Sequence, residues 1–248
     1  MGLYSNDELA VVPETALALS RGCGNPSGFA DLRHGEVAVD FGCGGGMDVI
    51  LAARKVGTHG RVIGVDFAEP MIERARQAVT EAGLQNVELL VTDLERTGLP
   101  DDSSDVVLSN CVINLCPDKD AVYREAFRIL RPGGRVAISD VVLTESIAPE
   151  LQERFRATWA GCLGGAIQEE EYWLTVKRAG FAGIRVVARY FLKGEELAAM
   201  ASCPGEEFTP PPAKEDLRLV EGKVASVKFT ATKPQGKSQR ESRRRRQL

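Results

Sequence analysis

From Val37 onward, short apolar runs alternate with stretches whose apolar residues recur every three or four positions. Val37–Phe41, Arg61–Asp66, Val87–Val91, Asp105–Ser109 and Arg135–Val142 have strand length and end at glycine, acidic or turn residues. Met47–Val56 has helical character. Pro70–Ala82 sets Met71, Ile72, Ala75, Ala78 and Val79 on one helical face, with Pro70 suited to the first turn and Gly83 marking the end. Asp118 caps a predicted helix running to Leu130, and Arg131-Pro-Gly-Gly134 reads as a turn. Strands this short and apolar, separated by helices, predict a doubly wound, mostly parallel α/β sheet.

Past Val142 the pattern is more helical. Pro149–Ala160 and Glu169–Ala179 are predicted helices separated by the Gly161–Gly165 stretch, and Ile184–Phe191 and Val224–Ala231 are predicted strands. Cys203–Pro212, with four prolines, is a predicted exposed loop. The expected organisation is a ligand-binding domain over 1–145, a small C-terminal α+β region over 146–234 and a basic, disordered tail over 235–248.

Charge and cysteine usage narrow the setting. No apolar run reaches the roughly 18 residues that cross a bilayer. The first twenty residues carry Asp7, Glu8 and Glu14 and no basic residue, unlike an export signal. A cytoplasmic protein with free thiols is therefore expected. The net charge of −4 hides six basic residues between Lys237 and Arg246; no aromatics interleave with them, so they read as a solvated tail rather than a nucleic-acid contact. The six cysteines include no CxxC pair, which argues against a structural zinc site of usual spacing. His34 and His59, the only histidines, fall in expected loops and read as solvated.

The sharpest local signal is Val37-Ala-Val-Asp-Phe-Gly-Cys-Gly-Gly-Gly46, a strand running into a glycine turn that opens a helix. Its Gly42-x-Gly44-x-Gly46 spacing is tighter than the G-x-G-x-x-G that cradles a dinucleotide pyrophosphate, and suits a nucleoside without phosphates. Asp66, ending the second strand, is placed to accept both hydroxyls of a ribose. Asp93, at the end of the third, is placed for an adenine amino group, and Asp40 for an ammonium or a loop amide. Each acid alone could simply cap a helix; their common register at strand ends predicts an S-adenosylmethionine (SAM) pocket, with Phe67, Met71, Leu94 and Asn110 as neighbouring contacts.

These elements match the class I SAM-dependent methyltransferases, and flanking segments match more narrowly. Ser20-Arg-Gly-Cys-Gly-Asn-Pro26, Ser109-Asn-Cys-Val-Ile-Asn-Leu115 and Gly161-Cys-Leu-Gly-Gly-Ala166 resemble the arsenite methyltransferases, as do Val62–Met71 and Arg131–Asp140. The resemblance runs from about Tyr4 to Pro234. It implies a Rossmann-like fold and SAM-dependent methylation of trivalent arsenic to mono- and dimethylarsenicals, with a thiol reductant such as glutathione or thioredoxin. It also implies Cys111 and Cys162 as arsenic ligands, Cys23 as a third, and a C-terminal region that caps the site. Family members commonly carry a further N-terminal stretch, sometimes with another cysteine, and a small apolar residue where Arg21 stands here.

The chemistry is coherent. Trivalent arsenic is soft and thiophilic, and three thiolates leave it pyramidal with a free lone pair. That lone pair attacks a sulfonium methyl in line, at roughly 3–3.5 Å, and no general base is required once the thiols have ionised. Taken singly, each cysteine reads rather as a small buried hydrophobe, and it is the motif match that favours ligation. Cys43, inside the glycine loop, reads as packing, Cys116 as an accessory or oxidisable thiol, and Cys203 has no assigned role. Two other functions compete: methylation of a small organic, quinone or lipid precursor, which would be indifferent to Cys111 and Cys162, and non-catalytic binding of arsenic or SAM.

Overall fold

A computed structural model describes residues 4–18, 22–156, 161–193, 196–197 and 213–235. Three short helices lead in: α1 (Asn6–Ala10), α2 (Glu14–Leu17) and α3 (Pro26–Phe29). Then follow β1 (Val37–Phe41), α4 (Met47–Val56), β2 (Arg61–Asp66), α5 (Glu69–Glu81), β3 (Val87–Val91) and β4 (Ser104–Asn110). A 3-10 turn (Ile113–Leu115), α6 (Lys119–Ile129) and β5 (Leu130–Leu143) complete the alternating part. The rest comprises α7 (Pro149–Arg156), α8 (Gly161–Gly164), α9 (Glu169–Arg178), β6 (Ala182–Phe191), α10 (Lys214–Val220) and β7 (Val224–Thr232).

The strands form one seven-stranded sheet in the order β3-β2-β1-β4-β5-β7-β6. β1 to β5 run parallel, and β7 pairs antiparallel with both β5 and β6. The predicted doubly wound, mostly parallel sheet is therefore the observed architecture. Strand order reverses between β1 and β4, and clefts at such a switch point, above the carboxyl ends of the strands, are where open α/β sheets bind ligands. Each face buries its own core. On one, Ile50, Val49 and Ala53 of α4 and Ile72 and Val79 of α5 pack on Ala38, Val62 and Val106. On the other, Val122, Tyr123 and Ile129 of α6 and Tyr172 and Val176 of α9 pack on Val39, Val107 and Ile138. A third apolar cluster lies above the sheet edge: Leu151 and Phe155 of α7, Leu163 of α8, and Leu217 and Val220 of α10 gather around Cys111.

Three expectations are corrected. Arg131-Pro-Gly-Gly134 is not a free turn: β5 begins at Leu130, opposite Ser104, and the four residues form an irregularity before Val106 and Arg135 pair. Reciprocal bonds from Gly133 N–H to Lys233 O and from Lys233 N–H to Gly134 O, both 2.8 Å, draw the segment into the sheet, a long-range pairing that a local turn signal does not reveal. Leu130 accordingly is extended (φ −72°, ψ 138°) and lies outside α6. Residues 161–164 form a helical turn rather than only a glycine spacer. The end of the expected helix over 157–160, Arg21, the Cys203–Pro212 loop and the tail from 236 lie outside the described residues. Among the described residues no helix is long and apolar enough to cross a membrane.

Candidate active site

The glycine loop leaves β1 through left-handed backbone at Gly42 (φ +73°), Gly44 (φ +50°) and Gly46 (φ +89°), conformations that side-chain-bearing residues adopt only at a cost. At Gly42 the need is also one of space, since a Cβ there would stand 2.3 Å from a methyl of Val112. The loop and the turn after β4 are thus in direct contact, and Val112 is the neighbour of Cys111.

Asp66 fastens the loop. Its Oδ2 accepts from the Gly44 N–H and its Oδ1 from the Ala68 N–H, each at 3.0 Å. A carboxylate has about four lone-pair positions, so this leaves capacity for two ligand hydroxyls. Two further acids are buried nearby, Asp40 and Asp48. Burial pushes the Asp40 carboxyl well up, and the charges of Asp48 and Asp66 push it further. Burial also raises Asp48, opposed by hydrogen bonds from Asn110, Tyr4 and Ser27. Asp48 Oδ1 is buried and has no partner of ordinary hydrogen-bond geometry. Three carboxyl groups in one buried volume repel one another, and a cation placed among them relieves that repulsion. Leu94 is buried and Met71 half-buried, whereas Asp93 is exposed just past β3 and the Phe67 ring is 66% exposed beside the end of β2.

The three cysteines of the specific segments meet. Cys111 is buried one residue past β4 with φ +62°, a strained backbone for a non-glycine residue, anchored by its N–H to Ser139 O at 2.8 Å. Cys162 Sγ reaches Cys111 O at 2.9 Å. Hydrogen bonding among the thiols, first with Cys162 and then with Cys23, together with burial, pushes the Cys111 thiol well above its usual range. Cys23 Sγ lies 3.4 Å from Ser139 Oγ, and Ser226 Oγ donates to Cys23 O at 3.0 Å. Cys23 and Cys162 pack against the cluster that contains Cys111, and among the described residues no group of three or more His, Cys, Asp or Glu is arranged to hold a metal ion.

Polar groups beneath the site hold the Cys111 turn. Asn114 Nδ2 donates to Asp140 Oδ1 at 3.0 Å and to Val141 O at 2.6 Å, tying the 3-10 turn to β5. Tyr123 donates to Tyr172 at 2.7 Å, and Tyr172 to Asp140 Oδ2 at 2.9 Å. Burial raises the Asp140 carboxyl to about 6 despite those bonds.

Asp48 and Tyr4 were not visible as site residues in the sequence. Tyr4 OH donates to Asp48 Oδ2 at 3.0 Å, and Asn110 Nδ2 to the same oxygen at 2.9 Å. Cys43 is buried, as a packing residue should be, and Cys116 is partly buried with its thiol pushed up to about 12, chiefly by burial. His34 and His59 are exposed in turns, as expected. An open groove lined by Arg54, Thr58, Arg61 and Glu88 lies at the opposite edge of the sheet and holds none of these groups.

Strand order, glycine turn and strand-end acids define a class, the Rossmann-like methyltransferases. The chain belongs to the methyltransferase-domain family, whose model matches residues 32–180. An arsenite methyltransferase of Halobacterium salinarum is 40% identical over 186 residues, 75% of this chain and 47% of that protein. One from Aquipseudomonas alcaligenes is 38% identical over 163 residues, 63% of this chain and 47% of that protein. The crystal structure of an arsenic(III) S-adenosylmethionine methyltransferase from Chlamydomonas reinhardtii superimposes with a TM-score of 0.75 at 28% identity, covering 93% of this chain and 73% of the other. The resemblance read from the cysteine segments is thus borne out, and the chain spans about half the length of the curated relatives it matches.

Proposed function

We propose that this chain transfers the methyl group of SAM to trivalent arsenic held by Cys23, Cys111 and Cys162. The observation that carries the proposal is the convergence of these three thiols beside Val112, the residue against which the glycine loop packs. A substrate made of carbon and oxygen would give that thiol cluster no task.

The donor pocket fits its ligand by charge. SAM supplies a methyl group on a cationic sulfonium, together with an ammonium group. Asp40, Asp48 and Asp66 crowd together in a buried volume, and those two cationic groups relieve their mutual repulsion. Asp66 takes the ribose hydroxyls, Asp93 the adenine amino group, and the exposed Phe67 ring with Met71 and Leu94 covers the base. Gly42, Gly44 and Gly46 let the backbone approach without side chains between.

At the acceptor, the raised pKa of the Cys111 thiol is no obstacle. Arsenous acid carries three hydroxyl groups, and each thiol that binds returns its proton to one of them as water, so three As–S bonds form with no net proton release. Cys111, fixed by Ser139 and strained at φ +62°, is the rigid ligand; Cys162 and Cys23 close from α8 and the N-terminal loop. The arsenic lone pair then forms the As–C bond as the methyl–sulfonium bond breaks, leaving the thioether. Returning the methylated, oxidised arsenic to the trivalent state requires two electrons, which two external thiol groups supply as they join in a disulfide, from two glutathione molecules or one thioredoxin dithiol. X-ray absorption at the arsenic edge tests the ligand set: arsenite-loaded protein should show three sulfur neighbours, and two after Cys23→Ser. Persisting oxygen neighbours in the wild type would overturn it.

A further inference from the structure

Asn110 has more partners than its place at the end of β4 requires. Its Oδ1 accepts from the Gly24 N–H at 3.1 Å, and its Nδ2 donates back to Gly24 O at 2.9 Å, so one carboxamide holds both backbone groups of the residue after Cys23. The same nitrogen also meets Asp48 Oδ2 at 2.9 Å and Tyr4 OH at 3.1 Å. Three acceptors surround two N–H groups, so both donors of the carboxamide are engaged within the chain. Both glycines flanking Cys23 are tightly packed, Gly22 on Asn110 and Gly24 on Ser139. A Cβ on Gly22 would stand 2.1 Å from Asn110 Nδ2, and one on Gly24 2.0 Å from Ser139 Oγ.

We propose that Asn110 is a positioning residue that seats the Cys23 loop: braced by Asp48 and Tyr4, its carboxamide clamps Gly24 and so presents the Cys23 thiol to Cys111. The clamp acts on arsenic only through Cys23, and that consequence rests on the ligand set proposed above. The seating itself does not. Because the brace includes Asp48 of the donor pocket, the clamp also links the two halves of the site.

The test compares Asn110→Asp, which keeps size and the acceptor but removes both N–H groups, with Gly24→Ala, which lifts the loop off Ser139 while leaving Asn110 intact. Each cysteine's alkylation by iodoacetamide is followed by peptide mass spectrometry, with buried Cys43 as the gauge of global unfolding. Loss of the one or two net hydrogen bonds that hold the loop should raise the Cys23 rate about tenfold in both variants, with Cys43 unchanged. A residue that only fills space would tolerate the isosteric Asp and leave the Cys23 rate as in wild type. If Asn110→Asp also exposes Cys43, Gly24→Ala decides. An unchanged Cys23 rate in folded Gly24→Ala, or in folded Asn110→Asp, overturns the proposal. Kinetics of Gly24→Ala separate it from the ligand reading: in that variant KM for arsenite should rise about tenfold while monomethylarsenite turnover stays within about twofold. A freed Cys23 with unaltered arsenite kinetics would retain the clamp and remove Cys23 from the arsenic site.

Discussion

Gly42→Ala probes the contact on which the whole site depends, because it loads the junction between the donor loop and the Cys111 turn. Two costs combine. An alanine held at φ +73° loses roughly 1–2 kcal/mol. Its Cβ would also sit 2.3, 2.6 and 2.6 Å from three carbons of Val112, an overlap that forces one segment to move, at about 1–3 kcal/mol. The sum, roughly 2–5 kcal/mol, corresponds to a fall in melting temperature on the order of 10 °C for a chain of this size. Val112→Ala removes two of those carbons and leaves its own Cβ at 2.6 Å, so the double variant should recover about 1 kcal/mol and no more. Calorimetric melting gives the stabilities, and titration with the demethylated product of SAM gives donor affinity, which should fall with Gly42→Ala. Strict additivity of the two substitutions, with Gly42→Ala costing less than about 0.5 kcal/mol, would refute the contact.

Asp66→Ala should weaken SAM binding by roughly 1–3 kcal/mol, because ribose hydroxyls lose a charged acceptor; unchanged affinity by calorimetry would remove Asp66 from the pocket. Asp140 binds its proton more tightly in the folded chain, so the stability it contributes is full below about pH 4 and is lost as pH rises through about 6, by roughly 3 kcal/mol in all. Urea melts between pH 4 and 8 should show that decline, and Asp140→Asn should flatten it; a slope untouched by the substitution would contradict the assignment. Cys111→Ser and Cys162→Ser should each abolish arsenite methylation while SAM affinity stays near wild type, since a serine hydroxyl of nearly the same size binds soft centres poorly; wild-type methylation by both variants would contradict the arsenic assignment.

What was legible in the sequence was what the chain encodes locally. Period and punctuation fixed β1 to β4 and α4 to α6 to within a residue or so, because glycine, proline and Asp118 act within one turn of where they stand. Arg131-Pro-Gly-Gly134 misled because its partner, Lys233, lies a hundred residues away. The site divides the same way. Gly42 and Asp66 follow from strand ends and spacing, and the structure joins them through Gly44. The meeting of Cys23, Cys111 and Cys162 could not come from spacing; only the resemblance pointed to it, and the fold brings them together through β4, α8 and the loop before α3. Asp48, Tyr4 and the clamp on Gly24 were invisible, since each depends on side chains that meet across 44 to 106 positions of sequence.

Arsenic speciation tests the proposed activity most directly. The chain is incubated with arsenite, SAM and a thiol reductant, and the arsenicals are separated and quantified by mass spectrometry, with Cys111→Ser run beside it. Mono- and then dimethylated arsenic should accumulate with wild type, in step with demethylated SAM, and neither should form with the variant. Arsenite recovered unmethylated while SAM is consumed on an organic acceptor, or equal methylation by Cys111→Ser, would contradict it.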